Sequence, residues 1–221
     1  MSNPRRDFLG WLGASALLTT ASPLSASDAH ERAPRALDDT FDMSWTDRLT
    51  GKYRAVFDSP EISEGAALFR AIIWEDQHKD VYGTDPKQMT PVLVFRHEAI
   101  PLVMSDAYWD RFELGKTHKI RDGAGKKWTR ANPIRTSAPG TPPKWAKYNL
   151  QDFIASGGIV LACNLAFGDV VGSYVTAEKV KREEARKLAL AQLIPGVILQ
   201  PSGVFAALRA QEGGCHYILA S

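Results

Sequence analysis

Residues 157–168 read GGIVLACNLAFG, and this stretch decides the predicted fold. Two glycines end the preceding segment, and the apolar run after them is short and bounded by turn signals. Such a run is typical of a strand covered on both faces, as in a parallel sheet, that ends in a turn. Cys163 is predicted to lie at the carboxyl end of that strand, where open α/β sheets place their ligand sites. We therefore take Cys163 as the candidate functional centre.

Strands and helices are predicted to alternate along the rest of the chain. The alternation predicts a three-layer α/β/α fold with a mostly parallel sheet of about five strands. The other predicted strands cover residues 53–58, 90–95, 197–199 and 216–219. The predicted helices cover residues 62–81, 148–156, 176–193 (capped by Thr176) and 202–212, and a further helix starts at Ser105 or Asp106.

The composition limits the classes of partner. The chain has 221 residues, which is enough for one domain with a sizeable core. Its 27 basic and 25 acidic residues give a formal net charge of +2. This near balance gives no reason to expect nucleic acid or an anionic membrane as a partner, and we predict no nucleic-acid partner.

The N-terminus carries the features of an export signal. Arg5 and Arg6 precede a short apolar segment, and small residues follow it. This order is typical of a signal peptide, and the paired arginines indicate the twin-arginine (Tat) route. The apolar segment is shorter than the about 20 residues that span a bilayer. We predict a Tat-type signal peptide over residues 1–26, cleavage after Ala26 or Ala29, and a periplasmic protein with no membrane span after signal removal.

The segment after the signal shows no regular periodicity and mixes charged residues with a proline. We predict that residues 27–50 form a linker or a surface arm, with Phe41 and Trp45 as possible anchors. Residues 51–221 are predicted to form the α/β domain.

Residues 116–147 are predicted to form a basic loop inserted in that domain. They include nine lysines or arginines and one acidic residue, together with several glycines and prolines. Long loops in compact domains are usually functional or mobile. Basic residues among tryptophans bind anions, so Lys126, Lys127 and Arg130 are candidates for binding an anionic small molecule or a partner protein. The alternative is a solvated loop that is partly ordered by contacts with neighbouring subunits.

Several common site signatures are absent from the sequence. It has no GxGxxG or P-loop for nucleotides, no GxSxG for a hydrolase nucleophile, and no HExxH or CxxC for zinc or dithiol chemistry. None of its five histidines has metal-ligand spacing with another. We predict no cofactor and no metal, and the sequence leaves open whether the protein is an enzyme.

Two polar residues are predicted to lie near Cys163. His97 follows the second strand, where it either stabilises a thiolate or binds a ligand, or is simply a surface residue at a strand end. Asn164 either donates an amide hydrogen bond to a substrate or caps the turn after its strand.

Segments spread over the domain resemble the DsrE/DsrF-like family, which includes the YchN-like proteins. The resemblance implies a three-layer α/β domain that assembles into trimers or hexamers. It also implies sulfur relay as a persulfide on a cysteine at the position of Cys163, with a sulfur donor or acceptor protein as partner. The export signal and the length of the basic loop depart from the family pattern. The matching segments are residues 52–58 (KYRAVFD), 157–164 (GGIVLACN), 194–197 (IPGV), 203–205 (GVF) and 211–218 (QEGGCHYI).

The chemistry of Cys163 has three interpretations. A persulfide carrier needs an accessible thiolate, whereas a buried cysteine acts as a small apolar side chain. A disulfide with Cys215 is disfavoured, because Cys215 precedes its own strand and the two edges of a parallel sheet lie ~15 Å apart. Disulfides join Cα atoms about 4.4–6.8 Å apart. We predict an exported sulfur carrier that acts through Cys163, or alternatively a non-catalytic periplasmic binding or assembly module for an anionic ligand or partner protein.

Overall fold

The structure is a computed structural model and describes residues 41–138 and 140–221. Within these residues, five strands form one sheet in the order β4-β3-β2-β1-β5, and all neighbouring strands are parallel. This confirms the predicted α/β class and the five-stranded sheet. The strands are β1 Tyr53–Ser59, β2 Met89–Phe95, β3 Ile159–Cys163, β4 Val197–Gln200 and β5 His216–Leu219.

Helices cover both faces of this sheet. The α-helices are α1 Ala66–Tyr82, α2 Asp106–Arg111, α3 Leu114–Thr117, α4 Pro143–Ala146, α5 Leu150–Ala155, α6 Asn164–Glu178, α7 Arg182–Leu190 and α8 Gly203–Glu212. Short 3-10 helices cover Ser44–Arg48, Ser63–Gly65, Pro86–Gln88 and His97–Val103.

Alternate residues of the central strands face two separate apolar cores. In β2, Leu93 and Phe95 belong to the larger core, which includes residues of α1, α2, α6 and α7. Val92 and Val94 belong to the smaller core, which α8 covers together with Trp45. Because both faces are buried, the central strands read as continuous apolar runs.

The direction in which successive strands are added to the sheet reverses between β1 and β5, which makes this position the topological switch point of the sheet. The first four strands follow one another across the sheet, and α8 then carries the chain back across it to β5. Ligand sites of open α/β sheets lie at the carboxyl edge beside such a reversal. The carboxyl ends of β1 and β5 are therefore part of the candidate site.

The segment after β3 differs from the sequence prediction. The strand ends at Cys163, and α6 begins at the next residue in place of a turn. Thr176 does not start a helix; it lies inside α6, which ends where Lys179 adopts a left-handed conformation (φ 55°). The charged helix α7 begins only after that break. The helix α6 was missed because Asn164 and Gly168 read as turn signals and only three apolar residues lie between them.

The predictions for the N-terminal segment fall partly outside the described residues. Residues 1–40, which hold the predicted signal peptide and most of the predicted linker, are not described. The rest of that linker, after Asp42, includes the 3-10 helix Ser44–Arg48, and Trp45 is fully buried in the smaller core. Trp45 is thus an anchor, as the sequence indicated, and its segment contributes to the core.

Gly158 is needed for the close approach of α5 to the start of β3. A Cβ atom at this position would lie 2.3 Å from the ring of Phe153. Phe153 is buried in the larger core, so it has little room to move. The glycine of the GGIVLAC run therefore fixes how the chain enters its central strand.

Candidate functional site

Cys163 lies at the carboxyl edge of the sheet, as predicted. In the sheet register it pairs with Gln200 at the end of β4. The preceding residue, Ala162, pairs with Phe95 at the end of β2, so Arg96 is the next residue beside Cys163 on the other side. The edge therefore brings a thiol, an amide and a guanidinium-bearing residue to adjacent strand ends.

The sulfur of Cys163 caps the N-terminus of α6. Its Sγ accepts a hydrogen bond from the backbone N–H of Ala166 at 3.4 Å. Cys163 is only 6% exposed and belongs to the larger core. The buried sulfur therefore lies at the N-terminus of a 15-residue helix, where the first backbone N–H groups have no partner within the helix.

Asn164 joins two helices and does not cap the turn after β3, while its hydrogen bond to a substrate stays a prediction. The helix cap is Cys163, and Asn164 is the first residue of α6. Its Oδ1 accepts a hydrogen bond from Arg186 of α7 at 3.0 Å. The Arg186 guanidinium also lies over the ring of Phe167, with 5.7 Å to the ring centroid. Asn164 therefore positions α7 against α6 close to the cysteine.

His97 is exposed at the carboxyl edge. It opens the 3-10 helix His97–Val103 directly after β2 and has a left-handed backbone (φ 50°). No hydrogen bond joins it to Cys163 within residues 41–138 and 140–221. The placement at the edge matches the prediction, and the interaction with a thiolate stays a prediction.

A buried ion pair at the switch point was not predicted. Arg96 donates two hydrogen bonds to Asp58, Nε to Oδ1 at 2.8 Å and Nη2 to Oδ2 at 2.9 Å. The Tyr217 hydroxyl of β5 donates to the same Oδ2 at 2.7 Å. The Asp58 side chain is only 3% exposed. The hydrogen bond to Asp58 raises the pKa of Arg96 and that of the Tyr217 hydroxyl. This Asp58 cluster (Asp58, Arg96 and Tyr217) joins β1, the end of β2 and β5.

One sequence signal points to this cluster. Asp58 directly follows the apolar residues Ala55, Val56 and Phe57 of β1, and a charged residue at the end of a buried run needs a partner. The sequence does not identify that partner, because the register of three strands brings Arg96 and Tyr217 to it.

The predicted basic loop is largely fixed by contacts within the chain. Asn132 is buried and donates from Nδ2 to the carbonyl oxygens of Leu102 and Met104. Ile134 lies in the larger core. Residues 132–135 of this segment therefore lie against the domain, and at its end Lys147 forms an ion pair with Asp76 of α1.

The three candidate cations of that loop lie away from the cysteine's contacts. Lys126, Lys127 and Arg130 are exposed. The Asp122 carboxylate accepts from the backbone N–H groups of both lysines, and Arg130 forms an ion pair with Asp110 of α2. No hydrogen bond or ion pair of the described residues joins the three cations to Cys163. Lys127 and Arg130, but not Lys126, line a separate small cavity of about 250 Å³ with Trp109 and Trp128.

The second cysteine lies at the opposite edge of the sheet. Cys215 directly precedes β5, and both cysteines are free and buried. This placement confirms the geometric argument against a disulfide between them. Burial raises the pKa of the Cys215 thiol to about 11, and the nearby Arg54 guanidinium offsets this in part.

The described residues contain neither a candidate metal cluster nor a candidate membrane span. Among residues 41–138 and 140–221, no three His, Cys, Asp or Glu side chains are grouped so that they could hold a metal ion. No helix of that part of the chain is long and apolar enough to cross a membrane.

Comparison with known proteins gives a weak similarity to a solved structure. No family model matches the chain, and no curated protein matches it. Among solved structures, a protein of unknown function from Methanobacterium thermoautotrophicum is similar, with 16% sequence identity and a TM-score of 0.35. The match covers 76% of this chain and 98% of that one.

Proposed function

We propose that the protein is an exported DsrE-like sulfur carrier that holds sulfur as a persulfide on Cys163. The observation that carries this proposal is the position of the sulfur, at the carboxyl end of β3 and at the N-terminus of α6. The sequence resemblance to DsrE-like proteins supports the choice of chemistry.

The transfer is a thiol exchange in which atoms and charge balance. The Cys163 thiolate attacks the terminal sulfur of a donor persulfide, the donor's S–S bond breaks, and the donor leaves as a thiolate. Cys163 then carries the added sulfur as a persulfide. The Ala166 N–H group and the helix N-terminus favour negative charge at this place. Because Cys163 is nearly buried, its neighbours must move before a donor reaches the sulfur.

Intact-mass measurement after treatment with polysulfide tests the proposal. The wild-type chain and Cys215→Ser are expected to gain the mass of added sulfur, and Cys163→Ser is expected to gain none. Cys215 is a matched control because it is equally buried and lies at the other edge of the sheet. An unchanged wild-type mass, together with a Cys163 that resists alkylation in the folded state, would overturn the proposal.

The burial of Cys163 favours a second candidate, a non-catalytic binding or assembly module. In this case the cysteine is a helix cap, and the exposed Lys126, Lys127 and Arg130 bind an anionic ligand or partner protein. Such binding weakens as salt screens exposed charges. The triple variant with glutamine at these positions should lose the binding, while Cys163→Ser retains it. Loss of function in Cys163→Ser would contradict this candidate.

The proposed compartment is the periplasm, reached by the Tat route. The paired Arg5 and Arg6 before a short apolar segment support it. Replacing both arginines with lysine should retain the protein in the cytoplasm, as cell fractionation would show. Periplasmic recovery of that variant would exclude the Tat route.

We propose a homo-oligomer, either a trimer or a hexamer. The resemblance supports this, as do exposed apolar side chains on α8 and on the edge strand β5, including Val204, Leu208 and Leu219. Light scattering on the eluting protein would give the mass, and a monomer at every concentration would overturn the assembly.

A further inference from the structure

A cavity of about 630 Å³ lies at the amino edge of the sheet, opposite the edge that holds Cys163. It is formed by the starts of β2 and β3, the second half of α1 and the end of α5. Its volume is within the range of sites that hold small molecules. Three of its lining residues are apolar side chains from different elements: Ile72, Met89 and Phe153.

Glu75 of α1 lines this cavity and lacks a partner. Its carboxyl group has no hydrogen bond or ion pair within residues 41–138 and 140–221, although the side chain is partly buried. The neighbouring Asp76 differs, since it pairs with Lys147 and accepts a hydrogen bond from the Tyr148 hydroxyl. Burial raises the pKa of Glu75 to about 7, with a further rise from Asp76 and a smaller opposite effect of Lys147.

Most other charged groups around the cavity are already engaged. From the 3-10 helix Ser44–Arg48, Arg48 donates to the carbonyl oxygens of Gly157 and Gly158. From α5, Asp152 accepts from Asn149. Two further cations also line the cavity and are exposed, Lys79 of α1 and Lys87 of the 3-10 helix Pro86–Gln88.

We propose that this amino-edge cavity binds a small organic amine, whose ammonium group pairs with Glu75 and whose apolar body lies against Ile72, Met89 and Phe153. A partly buried carboxylate without a partner is costly, and a cation of the right size removes that cost. An anionic ligand would require Glu75 to be protonated and would add negative charge near Asp76. If the amine also carries a carboxylate, the exposed Lys79 and Lys87 are available to it.

The pairing predicts a specific pH dependence. An alkyl ammonium stays charged near neutral pH, so the titrating group is Glu75. Since the ammonium binds the ionised carboxylate, binding below about pH 7 releases a proton, and affinity should rise about tenfold between about pH 6 and pH 8. Asp76, Lys79, Arg48, Lys87, Lys147 and Asp152 are the other charged groups that face the cavity.

Three probes with the same aromatic body test the proposal: phenethylamine, phenylalanine and 3-phenylpropionate. Isothermal titration calorimetry at pH 6 and pH 8, in two buffers of different ionisation enthalpy, measures affinity and proton release. We expect phenethylamine to bind more tightly at pH 8 and to release a proton at pH 6. Glu75→Gln should weaken binding at pH 8 at least tenfold and abolish its pH dependence. Asp80→Asn, an exposed change on the same helix, should alter neither.

The remaining measurements identify the class of amine that binds. They also distinguish the amine site from the site at Cys163. Tighter binding of phenylalanine than of phenethylamine would indicate an amino acid, and the reverse would indicate a simple amine. Cys163→Ser should leave amine binding unchanged, whatever becomes of the sulfur-carrier proposal. Preferred binding of 3-phenylpropionate, no binding of either amine, or equal affinity in Glu75→Gln would overturn the amine site. Proton release by the wild-type protein remains decisive if Glu75→Gln does not fold.

Discussion

Asp58 and Arg96 form a bidentate ion pair across the carboxyl ends of β1 and β2, with N–O distances of 2.8 and 2.9 Å. The aspartate is buried, whereas 29% of the arginine side chain is exposed. A carboxylate in this position is stable only with its partners, because removal of one partner leaves an uncompensated charge or an unsatisfied polar atom. The pair therefore stabilises the edge at which the candidate site lies.

Asp58→Asn should destabilise the fold by about 2–4 kcal/mol, because it breaks a charged hydrogen-bond pair and weakens the bond from Tyr217. Urea unfolding followed by circular dichroism gives the free energy of unfolding. Asp110→Asn is the matched control, since the ion pair of Asp110 with Arg130 is exposed and should contribute less than about 1 kcal/mol. Equal losses in the two variants would contradict the importance of burial.

Gly203→Ala and Gly172→Ala should change stability in opposite directions. A Cβ at Gly203 would lie 2.5 Å from Cβ of Arg96, so the arginine must move and the fold should lose about 1–3 kcal/mol. No atom lies within 4 Å of a Cβ at Gly172 inside α6, and alanine there should add about 0.5–1 kcal/mol. Thermal unfolding of both variants measures the difference, and a stabilised Gly203→Ala would show that the helix approaches Arg96 less closely.

Glu75→Gln should stabilise the protein at alkaline pH. The pKa of Glu75 is raised from 4.5 to about 7, so the folded state keeps a proton that the unfolded chain has lost. This difference in proton binding contributes to the free energy of unfolding of the wild-type protein. The contribution is fully present below pH 4.5 and is lost as pH rises through about 7. At pH 8 the variant should exceed the wild type by on the order of 1–3 kcal/mol, and at pH 4.5 the two should agree. A difference that is constant from pH 4.5 to 8 would mean that Glu75 does not titrate in this way.

Cys215 should resist alkylation in the folded protein. With a pKa of about 11 its thiol is almost entirely protonated at pH 8, and the residue is buried. Mass spectrometry after iodoacetamide treatment at pH 8 should find it unmodified until urea unfolds the chain. Fast modification without denaturant would show that the amino edge of β5 opens readily.

Much of the fold was predictable because its central strands are buried on both faces. Residues 53–58, 90–95 and 216–219 each contain a short apolar run near turn signals, and the structure has strands there. The helix α6 was not predictable in the same way. Cys163 is not a usual capping residue, and the first turns of α6 lack the polar face that distinguishes a helix from a strand.

The candidate site was predictable only in part. Cys163 ends one strand and His97 comes just after another, so their place at the carboxyl edge follows from a parallel sheet. The Asp58 cluster depends on the order of strands, which local sequence does not encode. Glu75 resembles any acidic residue on an exposed helix face, and only the cavity beside it distinguishes it.

The pairing of β1 with β5 has a consequence for the order of folding. The first strand obtains its second neighbour from the last strand, and the N–H group of Ala220 donates to the carbonyl oxygen of Asp58. A nascent chain whose residues 216–220 are still inside the ribosome cannot make these contacts, even when the other four strands have emerged. Completion of the sheet therefore waits for the emergence of residues 216–220, and a chain truncated before β5 would expose the edge of β1 that pairs with it.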